Sequence, residues 1–170
     1  MAKPKYPAVP IEESLAVECD DDVINISRTA AVVKGGRRFS FNCLSVVGNR
    51  NGLVGLGYAK AKEVPSAVEK SVKEGKKRLM RVVRDGGTIP HLVEGRFCAT
   101  TVRLVPAAPG TGLIAGKSVR KVVELAGIKD VLTKTYGSTN PMNVVKATMA
   151  ALAQLRDRKT IEALRGVSIE

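Results

Sequence analysis

Five consecutive residues, Lys34, Gly35, Gly36, Arg37 and Arg38, set three cations around a pair of glycines. Adjacent glycines between β-type segments mark a tight hairpin turn, because Gly reaches positive φ without steric cost. Three like charges crowded at one turn repel one another unless a polyanion lies opposite, so the chemistry on offer is phosphate contact. A second turn, Asn51-Gly52, carries Arg50 beside it, and Lys60 and Lys62 follow the next strand. Beyond Pro65 the cations Lys70, Lys73, Lys77, Arg81 and Arg84 recur on one side of a predicted helix, with Val68, Val72, Gly75, Leu79 and Val82 on the other. A lysine face is often only solvated. This one has no acid in its row and adjoins two basic turns, which favours phosphate.

Catalytic readings fare worse. Gly110, Gly112 and Ala115 satisfy a G-x-G-x-x-A pattern, and Asp130 lies 20 residues after Gly110, where a dinucleotide site would want a ribose-binding acid. The second half is too short for a doubly wound domain, and its first strands lack the β–α alternation of a parallel sheet. A glycine-rich loop meeting RNA or a protein neighbour, with Lys117 and Arg120 just after it, is the better reading. His91 has no acid–base partner in sequence, and no nucleophile motif surrounds any Ser. The three cysteines, Cys19, Cys43 and Cys98, form no CxxC pair, and Asp20 to Asp22 lack calcium-loop spacing. No enzyme, metal or cofactor is expected.

The bulk charge agrees. The 170 residues carry a net charge of +12, with 44% hydrophobic and 4% aromatic residues, a balance that suits a folded partner of nucleic acid. Residues 1–26 hold two cations against six anions, whereas 27–87 hold 14 against four and 88–156 hold nine against three. The basic surface therefore belongs to the folded body. Reduced thiols, no apolar run of the roughly 18 residues a membrane span needs, and no apolar leader point to a cytoplasmic chain with no membrane and no small-molecule substrate.

The elements that must position these cations form an α+β chain of two small domains. Residues 1–26 are expected to be a partly disordered extension. Residues 27–86 read as βββα: a strand into the Gly-Gly turn, a return strand, a third strand after Asn51-Gly52, and the helix from Pro65. This order is that of a double-stranded-RNA-binding domain, which reads A-form shape and backbone rather than sequence. Gly55, Gly57 and Ala59 leave one face of the third strand flat for close approach. Residues 87–156 read as ββαβα, a two-layer sheet-and-helix domain with strands near 88–94, 99–106 and 129–136 and helices near 118–126 and 141–155. Residues 157–170 are expected to be a peripheral tail.

The run VVKGGRRFSFNCLSVVGNRNGLVGLGYAKAKEVPSAVEKSVKEGKKRL resembles the N-terminal domain of the small-subunit ribosomal protein five family in its bacterial form. GGTIPHLVEG, PAAPGTGLIAGKSVRKVVELAGIKDVLTKTYGSTNPMNVVKATMAAL and the closing RGVSIE resemble its C-terminal domain and tail. The resemblance implies a structural constituent of the small ribosomal subunit that binds its ribosomal RNA. It supports assembly, decoding accuracy and head–body motion, beside ribosomal proteins four and eight and close to the channel by which messenger RNA enters. It further implies that residues 34–38 reach the head–body junction. Lys60, Lys62 and the strand through residues 55–58 would lie against RNA. Gly110, Gly112, Lys117 and Arg120 would lie at the interface with protein four. The chain departs from the common pattern at Asn49, Arg50, Leu53, Ala59, Lys62, Lys117 and Ser118. The alternative is a free-standing double-stranded-RNA-binding protein.

Overall fold

The computed structural model describes residues 18–167. Strands β1 (Asp20–Val33), β2 (Gly36–Gly48), β3 (Leu53–Ala61) and β4 (Leu79–Arg81) form one antiparallel sheet in chain order, and helix α1 (Val64–Lys76) lies between β3 and β4 in sequence. Strands β5 (Val93–Phe97), β6 (Thr100–Pro106), β7 (Leu113–Ile114) and β8 (Val131–Gly137) form the second sheet, in the order β5-β6-β8-β7. Helices α2 (Lys117–Leu125), α3 (Pro141–Leu152) and α4 (Arg158–Arg165) complete the chain.

Each face of the first sheet has its own partner. Cys43, Ser45 and Val47 face α1, where Gly55 and Gly57 let the helix settle onto the strands. A Cβ on Gly55 would run into the Gly75 carbonyl, and one on Gly57 into the Ser71 carbonyl. Ser45 donates a 2.9 Å hydrogen bond to Ser71, whose hydroxyl donates 2.8 Å to the Val68 carbonyl, so the buried polar pair is satisfied. The close approach foreseen for the flat face is therefore made by the protein's own helix. The opposite face, with Leu44, Val46 and Val54, is buried with Val119, Val122, Val123 and Ile128 in a core that runs through both halves. The face of β3 with Gly55 and Gly57 is thus occupied by the protein's own helix, while Leu56 and Tyr58 on the other face are only partly buried.

Several boundaries differ from the sequence reading, each for a packing reason. The strand begins at Asp20, inside the expected extension, because residues 20–26 pair with β2 over Gly48 to Cys43. The partly disordered extension expected for residues 1–17 falls outside the described residues. Residues 44–47, where the alternation slips, are buried on both faces, and the register shift falls opposite them, between Val23 and Asn25. Helix α1 stops at Lys76, so the expected five-cation helical row is broken: Lys77 caps the helix and Arg81 stands on β4. Leu79 and Met80 explain the break, because both are buried although adjacent. Strand geometry sends such neighbours to opposite faces, whereas a helix would keep them on one side. The first strand of the second half starts at Val93 rather than near residue 88, where Asp85 and Thr88 instead close a turn through reciprocal 3.0 Å backbone bonds. The glycine-rich loop holds β7, paired parallel to β8, and the tail holds α4, which ends at Gly166 with φ +67. Both elements were absent from the expected ββαβα order.

Candidate RNA interface

Strand β3 pairs with β2 only from Gly48 back to Phe41. Past that point β1 and β2 continue alone, from Thr29 to Val33 and from Gly36 to Ser40, as a two-stranded arm. Lys34 and Gly35 form its tip, Gly35 taking φ +91. Arg37 and Arg38 follow on successive positions, which places one cation on each face of the ribbon. Lys34, Arg37 and Arg38 are exposed, and none makes an ion pair among the described residues. An isolated hairpin is marginal in water. Here Arg28 stacks its guanidinium 3.7 Å over the Phe39 ring, and Thr29 donates to the Ser40 carbonyl at 3.2 Å. Arg28 went unread in the sequence. Its signal is the register, which sets it opposite Phe41 and diagonal to Phe39.

A second group of cations lies where β3 meets α1. Lys60, near the end of β3, and Lys62, just past it, are exposed, and with Ser40, Glu63, Ser66 and Lys70 they line an open groove of about 540 Å³. Lys73 and Lys77 continue along the exposed side of α1 and its end. Arg81 is exposed on β4, the edge strand. Arg78, which the sequence reading left aside, is paired with Glu74 one helical turn earlier.

Other expected contacts turn out to be partly internal. The Arg50 guanidinium lies 3.0 Å from the Asp20 carboxylate, with both side chains more than half exposed. Backbone N–H groups of Arg50 and Gly52 donate to the carbonyls of Leu125 and Ala126 at 2.9 and 3.0 Å, so this turn caps the C-terminal end of α2. Arg84 completes the clasp, donating to the Gly127 carbonyl at 3.1 Å and to Asn51 Oδ1 at 2.7 Å. Arg84 thus leaves the expected cationic row and joins the two halves. In the glycine-rich loop, Gly110 and Gly112 donate backbone N–H bonds of 3.0 and 2.8 Å to a single oxygen of Asp130. The acid that mimicked a ribose ligand therefore occupies the donors a phosphate would need, and the dinucleotide reading fails. Lys117 and Arg120 are exposed on the first turn of α2, while Lys121 turns inward to Asp22.

His91 sits in a bend: its Nδ1 lies 3.0 Å from the Leu92 carbonyl, and its Nε2 accepts from the Arg156 N–H at 3.3 Å. That is a structural role. Burial pushes the Cys19 thiol above its ordinary pKa, against the pull of nearby Lys76, so it is no activated nucleophile. Among the described residues no group of His, Cys, Asp and Glu could hold a metal, and no helix is long and apolar enough to cross a membrane.

Two sheet-and-helix halves on one core, with a cationic arm and a groove lined by Lys60, Lys62 and Lys70, define an α+β scaffold that presents a basic surface. Comparison with known proteins gives the family. Residues 19–83 match the N-terminal domain of ribosomal protein S5 and residues 95–165 its C-terminal domain. The chain is 52% identical over 157 residues to the small ribosomal subunit protein uS5 of Rhodopirellula baltica, covering 92% of this chain and 89% of that protein. The chain belongs to the ribosomal protein S5 family, a structural, non-enzymatic family of the small ribosomal subunit.

Proposed function

We propose that this chain binds ribosomal RNA with the arm tip (Lys34, Gly35, Gly36, Arg37 and Arg38) and with the cations flanking α1 (Lys60, Lys62, Lys70, Lys73, Lys77 and Arg81). Arg50 and Asn51 add contacts from the turn that caps α2. The carrying observation is the arm: three exposed cations without an ion pair among the described residues, on a ribbon that leaves the sheet and has no core of its own. Such a ribbon reaches into a gap between RNA elements that the globular body cannot enter, and backbone phosphates neutralise its charge. Placed at the junction of the subunit's head and body, it restrains their relative motion. The 110–116 loop with Lys117 and Arg120 faces protein four, protein eight is a second neighbour, and the channel where messenger RNA enters lies close by.

Salt dependence tests the reading. Arg37→Ala and Arg38→Ala should each weaken binding to the chain's own small-subunit RNA and lower the salt slope by about 0.7–0.9 per lost phosphate contact. Unchanged slopes in both variants would place the arm away from RNA. Equal affinity for any generic duplex would favour the free-standing alternative.

A further inference from the structure

The face of the first sheet that looks away from α1 is not covered along its whole length. Ile24, Leu44, Val46 and Val54 are buried in the shared core. Where the core ends, the start of α3 stands off the strands and leaves a cleft of about 310 Å³. Asn25 and Ser27 of β1, Asn42 of β2, Tyr58 of β3 and Asn140 at the cap of α3 line it, above Leu44. The strand register puts Ser27 opposite Asn42, and Leu44 between Asn25 and Tyr58. A bulge at Ile24 sets this arrangement: the slip between Val23 and Asn25 keeps Ile24 in the core and brings Asn25 to the cleft.

The cleft holds hydrogen-bonding capacity that the protein does not use. Asn42 Oδ1 is buried and has no hydrogen-bond partner among the described residues. Leaving such an oxygen unpaired costs about 1–3 kcal/mol, so a native protein that keeps one calls for a reason. Among the described residues the side chains of Asn25, Ser27 and Tyr58 make no hydrogen bond either. The lining contains no charged side chain, which excludes a phosphate as the occupant. Carboxamides instead offer a donor and an acceptor in one plane, the complement of a nucleobase edge, while Tyr58, Leu44 and Met142 supply flat apolar flanks. The volume falls at the small end of the roughly 300–1,000 Å³ typical of ligand clefts, the scale of one planar heterocycle rather than a chain segment.

Charge lies beside it: the strand register puts the exposed Lys60 directly opposite Asn42, and the two strands that line the cleft run on into the arm with Lys34, Arg37 and Arg38. We propose that the cleft receives one unpaired nucleobase of the same RNA whose backbone the arm holds. This rests on the RNA-binding reading above. A neighbouring protein's peptide group would offer similar hydrogen bonds, but a neutral cleft with Lys60 opposite Asn42 and the cationic arm continuing from the same two strands matches a nucleotide: base inside, phosphates outside.

The test uses the full-length chain assembled with its own small-subunit RNA, probed in parallel for base-edge reactivity and for backbone cleavage. In the wild type, one unpaired base should be shielded. In Asn42→Ala and in Asn25→Ala its reactivity should rise about fivefold, the equivalent of one lost hydrogen bond, while the backbone footprint of the arm stays unchanged. Asn25 is exposed, so its variant keeps the measurement available should Asn42→Ala fail to fold. An intact backbone footprint with no base responding to either variant overturns the proposal, including the case of a peptide in the cleft. Loss of the wild-type backbone footprint overturns the RNA reading itself, and the nucleobase with it.

Discussion

The Lys121 ammonium lies 2.5 Å from the Asp22 carboxylate and 2.6 Å from the Val23 carbonyl, joining α2 to β1 across 99 positions of sequence. The acidic run at the start of the described chain is thus held by the folded body, with Asp20 on Arg50 and Asp22 on Lys121. Lys121 is only 22% exposed, so water cannot fully replace its partners. Lys121→Met should lower stability by about 1.5–2 kcal/mol, the lower part of the range for hydrogen bonds to charged groups. Asp22→Asn should cost less than about 1 kcal/mol, because its side chain is 43% exposed and the Val23 bond survives. Urea unfolding of both variants checks the order; equal losses would mean that the carbonyl bond contributes nothing.

Two glycines separate steric need from backbone need. Gly57→Ala puts a methyl group into the Ser71 carbonyl, and α1 can yield only by lifting from the sheet. The expected loss is at least about 2 kcal/mol. Gly112 has open space around it but holds φ +77, so Gly112→Ala should cost only about 1 kcal/mol through backbone strain. Thermal unfolding of both variants measures the difference, and a Gly57→Ala protein as stable as wild type would contradict the helix seat.

Asp130→Ala removes the single acceptor shared by Gly110 and Gly112. Water reaches the exposed Gly110, so global stability should fall by only about 1 kcal/mol. Amide exchange at Gly110 and Gly112 should quicken much more than at the core strands. Unchanged exchange at these two amides would show that the loop holds its shape without the carboxylate.

The three thiols should react in order of access. Cys98 is exposed, Cys19 is partly covered and Cys43 is buried. Alkylation at neutral pH should label Cys98 first and spare Cys43 until the chain unfolds. Burial raises the Cys19 pKa above its ordinary value, so its labelling should lag at neutral pH and quicken as the solution turns alkaline. The folded state favours the protonated thiol, so this group's contribution to stability is full below the unfolded thiol's pKa. It is lost as pH rises through the folded value. Peptide mass mapping across a pH series reads both effects; early labelling of Cys43 would contradict the packing of α1 on β2.

What the sequence alone determined was local. The glycine turns at Gly35 and Gly52, the proline starts of α1 and α3, and the alternation of β2 are set by φ restriction and side-chain period, and each is readable within a few residues. The exposed cations were legible too, because a surface this basic shows in composition before any fold is known. The sequence could not show which cations are already spent. Arg84 and Lys121 read like Lys34 or Arg38, yet their partners, Gly127 and Asp22, lie 43 and 99 positions away. The same limit misread residues 77–84 as helix: only the free slot beside β3 makes Leu79 to Arg81 a strand, with Leu79 and Met80 buried on opposite faces. Periodicity reports one element's own faces, while burial and charge pairing depend on contacts between distant segments, and those exist only once the two sheets share a core.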